Sequence, residues 1–163
     1  MTSLGIICAR HNSSFKGKNW ALVNGIPMIQ RSILTAKESN LTRVIISTDS
    51  AMIAFLARAL DADVPFKRPE KYATDDCRIE NAVKHGVEFC EKQQECKYGV
   101  IVLLQNSSPM RLAVDINDCL SLMAQGYTNV LTTTLATHYH PYKAYIGGKS
   151  TNYNELVYRR QDL

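Results

Sequence analysis

Four short apolar runs, most of them rich in β-branched residues, alternate along this chain with segments whose apolar residues recur at helical spacing. No other feature restricts the fold so much. The runs are Leu4 to Cys8, Arg43 to Ser47, Tyr98 to Leu104 and Asn129 to Thr133, and each reads as a strand, the third as one buried on both faces. Pro27 opens the first helical segment, with Met28, Ile29, Ile33 and Leu34 at its spacing. A second follows Asp49 or Ser50 as N-cap and carries Ile53, Leu56, Ala57 and Leu60. A third, from about Cys77 to Gln93, lines up Ile79, Val83, Val87 and Cys90, and a fourth, Asp115 to Gln125, carries Ile116, Leu120 and Met123. Residues 9 to 24 read as a long polar loop, and Val64 to Tyr72, with Pro65 and Pro69, as irregular. Strands that alternate with helices imply an α/β fold: a doubly wound, mostly parallel sheet covered on both faces, of the Rossmann-like kind. From His138 the rhythm is lost, and polar and aromatic residues around Gly147-Gly148 suggest a C-terminal hairpin arm. The expected division is therefore an α/β domain over residues 1–136 and an arm over 137–163.

A chain of 163 residues, 45% hydrophobic and 21% charged, can bury a core without disulfide or metal staples. No apolar stretch approaches the roughly 20 residues that span a bilayer, so no membrane partner is expected. The net charge of +4 is spread without a basic run, which suits a small anionic ligand better than nucleic acid. Five cysteines form no C-x-x-C pair and cannot close into a complete set of disulfides. Reduced thiols, together with an N-terminal apolar run too short for a signal peptide, imply a cytoplasmic protein.

In open α/β sheets ligands sit beyond the carboxyl ends of the strands, so the residues after each strand carry the chemistry. After the first comes Ala9-Arg10-His11-Asn12-Ser13-Ser14-Phe15-Lys16-Gly17-Lys18-Asn19, a small-polar loop whose amides and cations suit phosphates. Neither the Walker pattern nor the dinucleotide glycine fingerprint occurs, which argues against a nicotinamide-dependent oxidoreductase. After the second comes Ser47-Thr48-Asp49, and after the third Gln105-Asn106-Ser107-Ser108-Pro109-Met110-Arg111, dense in groups that hydrogen-bond hydroxyls. The histidines show no metal-ligand spacing with the cysteines and read as structural or surface residues.

Together these segments resemble the acylneuraminate cytidylyltransferases, the CMP-sialic acid synthetases and their relatives for legionaminic and pseudaminic acids. That family's ARGGSK, KN and GKPLI pattern is matched in part by Ala9-Arg10, Ser13, Lys18-Asn19 and Gly25-Ile26-Pro27-Met28-Ile29. Its STD and IA are matched by Ser47-Thr48-Asp49 and Ile53-Ala54, and its VPF, RP and LATD by Val64-Pro65-Phe66, Arg68-Pro69 and Ala73-Thr74-Asp75. LLQPTSPLR becomes Leu103-Leu104-Gln105-Asn106-Ser107-Ser108-Pro109-Met110-Arg111, and HPYK and RQDLP are matched by His140 to Lys143 and Arg160 to Leu163. The departures are His11-Asn12 for the glycine-rich turn, a loop one residue shorter before Lys18, Ile26 for a lysine, and Arg78 and Ile79 near the family's serines.

The resemblance implies attack by the anomeric hydroxyl of an acidic nine-carbon sugar on the α-phosphate of CTP, with pyrophosphate leaving, in assembly of a surface glycan. Lys18 and Arg10 would be the catalytic cations. Ala9, Arg10, Asn12, Ser13, Lys18, Asn19 and Arg68 would bind the nucleotide, and Gln105, Lys143 and Arg160 the sugar. Mg²⁺ is the implied cofactor, and its ligands cannot be named in this chain. A homodimer formed through the arm, with CTP and an acidic sugar as small-molecule partners, completes the expectation. In the family the metal carboxylates follow the RQDLP segment, so a chain ending at Leu163 would be expected to bind CTP yet turn it over very slowly or not at all. The alternative is a non-catalytic nucleotide- or sugar-binding relative that lacks the metal site.

Overall fold

The computed structural model describes residues 1–11 and 17–132. Within the compact unit Met1–Val130, three parallel strands form the central sheet: β1 (Ser3–Cys8), β4 (Arg43–Ser47) and β5 (Val100–Gln105), in the order β4-β1-β5. Two further strands, β2 (Leu22–Val23) and β3 (Ile26–Pro27), make a separate antiparallel hairpin. Four helices complete the unit: α1 (Met28–Lys37), α2 (Ala51–Ala59), α3 (Ile79–Gln94) and α4 (Ala113–Ala124). β1 lies in the middle because its residues Leu4, Ile6 and Ile7 are fully buried and need cover on both sides. Its register places Cys8 opposite Ser47 on one side and Gln105 on the other, so the three strand ends are level.

Strand side chains alternate between faces, and the core divides accordingly. Ile7, Ala9, Ile46 and Leu104 face Ile29, Ile33 and Ala36 of α1, Ile53 and Ala57 of α2, and Ile116 of α4. Leu4, Ile6 and Ile45 face α3, through Cys90, Val83 and Val87, together with Phe66 and Tyr98. Helices thus cover both faces, as the alternation of periods requires. Ser50 caps α2, its side chain accepting the Ile53 N–H at 3.4 Å.

Two sequence expectations change. Residues 9 to 24 were expected to be loop throughout, yet β2 begins at Leu22, and the turn into β3 is Asn24 (φ 52°) followed by Gly25 (φ 77°). Both central residues are left-handed, the requirement of the tight hairpin turn that Asn-Gly favours. The fourth expected strand, Asn129 to Thr133, is not seen in its described part: residues 129–132 hold no strand, and Asn129 and Leu131 are exposed. Its apolar and β-branched residues find no neighbouring ladder there. Among the described residues the parallel sheet therefore has three strands, and Asp63 to Arg68 runs along the outer edge of β4. There the Ile46 N–H donates to the Asp63 carbonyl at 2.8 Å, and the Arg68 N–H to that of Thr48 at 2.8 Å. The expected arm, 137–163, lies outside the described residues. All five cysteines are free thiols, and no described helix is long and apolar enough to cross a membrane.

Candidate nucleotide site

From β1 the chain passes to β4 on one side, then crosses to β5 on the other, so its direction reverses between β1 and β5. The crevice at such a reversal, beyond the carboxyl ends of the strands, is where open α/β sheets bind ligands. Cys8 and Gln105 end the two strands, and the residues that follow them build the site.

Ala9 continues β1: its N–H donates to the Ser47 carbonyl at 3.0 Å and its side chain enters the core. Arg10 turns outward. Its Nη1 donates to the Thr74 carbonyl at 2.6 Å and its Nη2 pairs with Asp75 at 2.7 Å, which ties the first loop to the segment before α3. The next amide, His11 N–H, donates to Asp49 Oδ1 at 2.8 Å. Asp49 thus anchors the loop, and of the two N-cap candidates, Asp49 or Ser50, it is Ser50 that caps α2. Gly17, left-handed at φ 80°, leads into a 3-10 turn over Lys18–Trp20. Lys18 is half-buried there and pairs with no carboxylate among the described residues. Asn19, 8% exposed, faces inward, and its Nδ2 donates to the Arg10 carbonyl at 2.9 Å while its Oδ1 accepts from Asn106 Nδ2 at 3.0 Å.

Arg68 is 4% exposed, unusual for a guanidinium. Its Nε donates to Ser47 Oγ at 3.0 Å and its Nη2 to the Ser47 carbonyl, so it straddles the end of β4. Burial pulls its pKa down; Asp49 favours its charge, and Arg10 opposes it. An arginine stays protonated regardless, so the site holds a buried cation without a carboxylate pair among the described residues, and Arg10 is near enough to repel it. Burial also raises the Cys8 thiol, against the lowering effect of Arg68. A reduced, protonated thiol therefore lines the end of β1.

At the end of β5, Gln105 is exposed. Its Oε1 accepts from Ser107 Oγ at 3.3 Å, and its carbonyl accepts from Arg111 Nη2 at 3.1 Å. The site thus brings together Arg10, Lys18 and Asn19 from the segment after β1, Arg68 from the edge of β4 and Gln105 from the end of β5. Asn12, Ser13, Lys143 and Arg160 lie outside the described residues. Sequence reasoning did not single out Thr74 or Asn106 as site residues, and it raised Asp75, with Asp49, only as a first position to test for a metal ligand. Asn106 carried one usable signal, standing where the family pattern has proline.

A mostly parallel sheet with cations gathered at the point of reversal is the architecture of the Rossmann-like nucleotidyltransferases. The cytidylyltransferase family's sequence profile matches residues 4–145, and the chain belongs to that family. It is 32% identical over 138 residues to post-translational flagellin modification protein B of Campylobacter coli, an alignment that covers 83% of this chain and 59% of that protein. It is 35% identical over 113 residues to the CMP-N,N'-diacetyllegionaminic acid synthase of Legionella pneumophila, covering 68% of this chain and 48% of that one. Among solved structures, a CMP:2-keto-3-deoxy-manno-octonic acid synthetase complexed with CTP superposes with a TM-score of 0.61. Its identity is 21%, over 77% of this chain and 48% of that one, a likeness of fold. The chain spans about half the length of the relatives it matches.

The magnesium ion expected from the resemblance requires hard oxygen ligands. Among the described residues no three His, Cys, Asp or Glu side chains cluster to hold a metal. The two carboxylates nearest the loop are engaged, Asp49 by the His11 N–H and Asp75 by Arg10. The described residues do not fit a magnesium cage.

Proposed function

We propose that this chain carries the nucleotide-binding part of an enzyme that transfers a cytidylyl group from CTP to an acidic nine-carbon sugar of the sialic, legionaminic or pseudaminic type. The anomeric oxygen would form the new bond to the α-phosphorus as the bond to pyrophosphate breaks. The observation that carries this reading is the buried Arg68, which makes no ion pair among the described residues, beside Arg10 at the reversal point of a cytidylyltransferase-family sheet. A buried cation of this kind calls for an anion, and a triphosphate supplies it. The name of the Legionella relative supports an acidic sugar as acceptor.

Such a transfer asks the protein for position and for charge opposite the developing phosphoryl oxyanions. Lys18 and Arg10 are the groups for that charge, Arg10 exchanging Asp75 for phosphate. Asn12 and Ser13, in the loop between them, would add donors to the β- and γ-phosphates. Gln105 presents both an acceptor and a donor to a sugar hydroxyl, and Arg160 and Lys143 suit the sugar carboxylate. A cytoplasmic homodimer, formed through residues 137–163, belongs to the same proposal. The non-catalytic alternative is not favoured, because the matching relative whose name states a chemistry is named as a synthase.

The test has two parts. Calorimetry with CTP, UTP, ATP and GTP should show preferential CTP binding. Pyrophosphate release should then require both CTP and one of the three acidic sugars. Equal binding of all four nucleotides would overturn the reading.

A further inference from the structure

Asn106 follows β5 directly and is 4% exposed, at the point where the sheet reverses direction. Its amide orientation is set by a relay. Asn19 Nδ2 donates to the Arg10 carbonyl, which leaves Asn19 Oδ1 as an acceptor, so Asn106 must turn its NH₂ toward that oxygen. Asn106 Oδ1 therefore points away from the relay. It is buried and has no hydrogen-bond partner among the described residues. Buried acceptors are rarely left in this state, and one at a ligand crevice is matched when the ligand arrives.

We infer that Asn106 Oδ1 is a specificity-determining acceptor that takes a hydrogen bond from a hydroxyl of the bound substrate. The relay ties that amide to both strand ends, since Arg10 extends β1 and Asn106 extends β5. An acceptor so fixed rejects an analogue that lacks the matching hydroxyl, because the oxygen is then left unpaired again. Hydroxyls come from two sources here, the ribose of the nucleotide and the acidic sugar. The inference rests on the proposed function for the identity of both.

The test uses the full 163-residue chain as wild type, as Asn106→Ala, and as Asn106→Pro, which places the family's own residue at this position. One arm measures calorimetric binding of CTP, 2′-deoxyCTP and 3′-deoxyCTP. The other measures N-acetylneuraminic, legionaminic and pseudaminic acids and their single deoxy analogues, in the presence of a CTP analogue that cannot transfer. In one arm the wild type should lose affinity roughly tenfold when a single hydroxyl is removed, and in both variants that difference should shrink to near nothing. The ratio between a ligand and its deoxy analogue is read within one variant, so a general loss of stability does not imitate the effect. If both variants discriminate as the wild type does, or if the wild type does not discriminate in either arm, Asn106 serves a buried water and the inference falls while the proposed function stands. If the wild type shows no preference for CTP, the proposed function fails and takes this inference with it.

Discussion

At the scale of single residues, the site is a set of cations with unequal freedom. Lys18 has no carboxylate partner among the described residues, so Lys18→Ala should weaken CTP binding by about 1 to 3 kcal/mol, the scale of a charged hydrogen bond. Calorimetry at fixed salt checks it, and an unchanged constant would remove Lys18 from the site. Arg10 differs because Asp75 already holds it, although the Asp75 side chain is 75% exposed and the pair is correspondingly weak. Asp75→Asn should therefore raise CTP affinity, by about 2- to 5-fold at low ionic strength. The gain should fade at high salt, where both the pair and the phosphate attraction are screened. The sequence offered Arg10, Lys18, Asn19, Arg68 and Gln105 as candidates because each follows a strand or sits in a family motif. It did not reveal that Asn19 is a brace. That role depends on Asn106, 87 positions away, and a contact of that range leaves no periodic mark on the chain.

At the scale of elements, α3 shows how closely a helix can approach the sheet. A Cβ at Gly86 would lie 3.4 Å from both Ile6 Cδ1 and Ile45 Cδ1 and 3.6 Å from Phe66 Cζ. Gly86→Val should thus cost about 1 to 3 kcal/mol through overpacking, read as a lower urea midpoint with little change in slope. The residue before it in α3, His85, stacks edge-on to Phe66 at 4.7 Å and beside Tyr72 at 5.1 Å, with a buried Nδ1 that finds no partner among the described residues. Burial lowers its pKa, Lys71 and Arg68 lower it further, and Glu88 partly opposes them. Below the ordinary histidine pKa of about 6.5 the unfolded chain binds a proton that the folded chain resists, so stability falls as pH drops from there toward the folded value. His85→Phe should flatten that decline, as urea midpoints at pH 7.5 and 5.5 would show. The helices and the three parallel strands were legible because burial imposes periods on them. The β2–β3 hairpin is too short for a period, and its sign was the Asn24-Gly25 pair. The run from Asn129 had a strand's composition, but its described residues, 129–132, find no strand to pair with among the described residues, and composition alone does not make a ladder.

At the scale of the whole molecule, the proposed homodimer predicts a mass near twice 18.3 kDa in light scattering at micromolar concentration. A monodisperse monomer would refute it. The order β4-β1-β5 has one further consequence, which concerns time. The central strand ends at Cys8, yet its second partner, far later in the chain, ends only at Gln105. Translation at 5–20 residues per second leaves one edge of β1 open for roughly 5 to 20 s. Through that interval its apolar backbone can pair with any other strand nearby. The nascent chain is therefore most vulnerable to aggregation before β5 emerges. Holdase chaperones should engage ribosome-bound chains stalled before residue 100 and release those stalled well beyond 105.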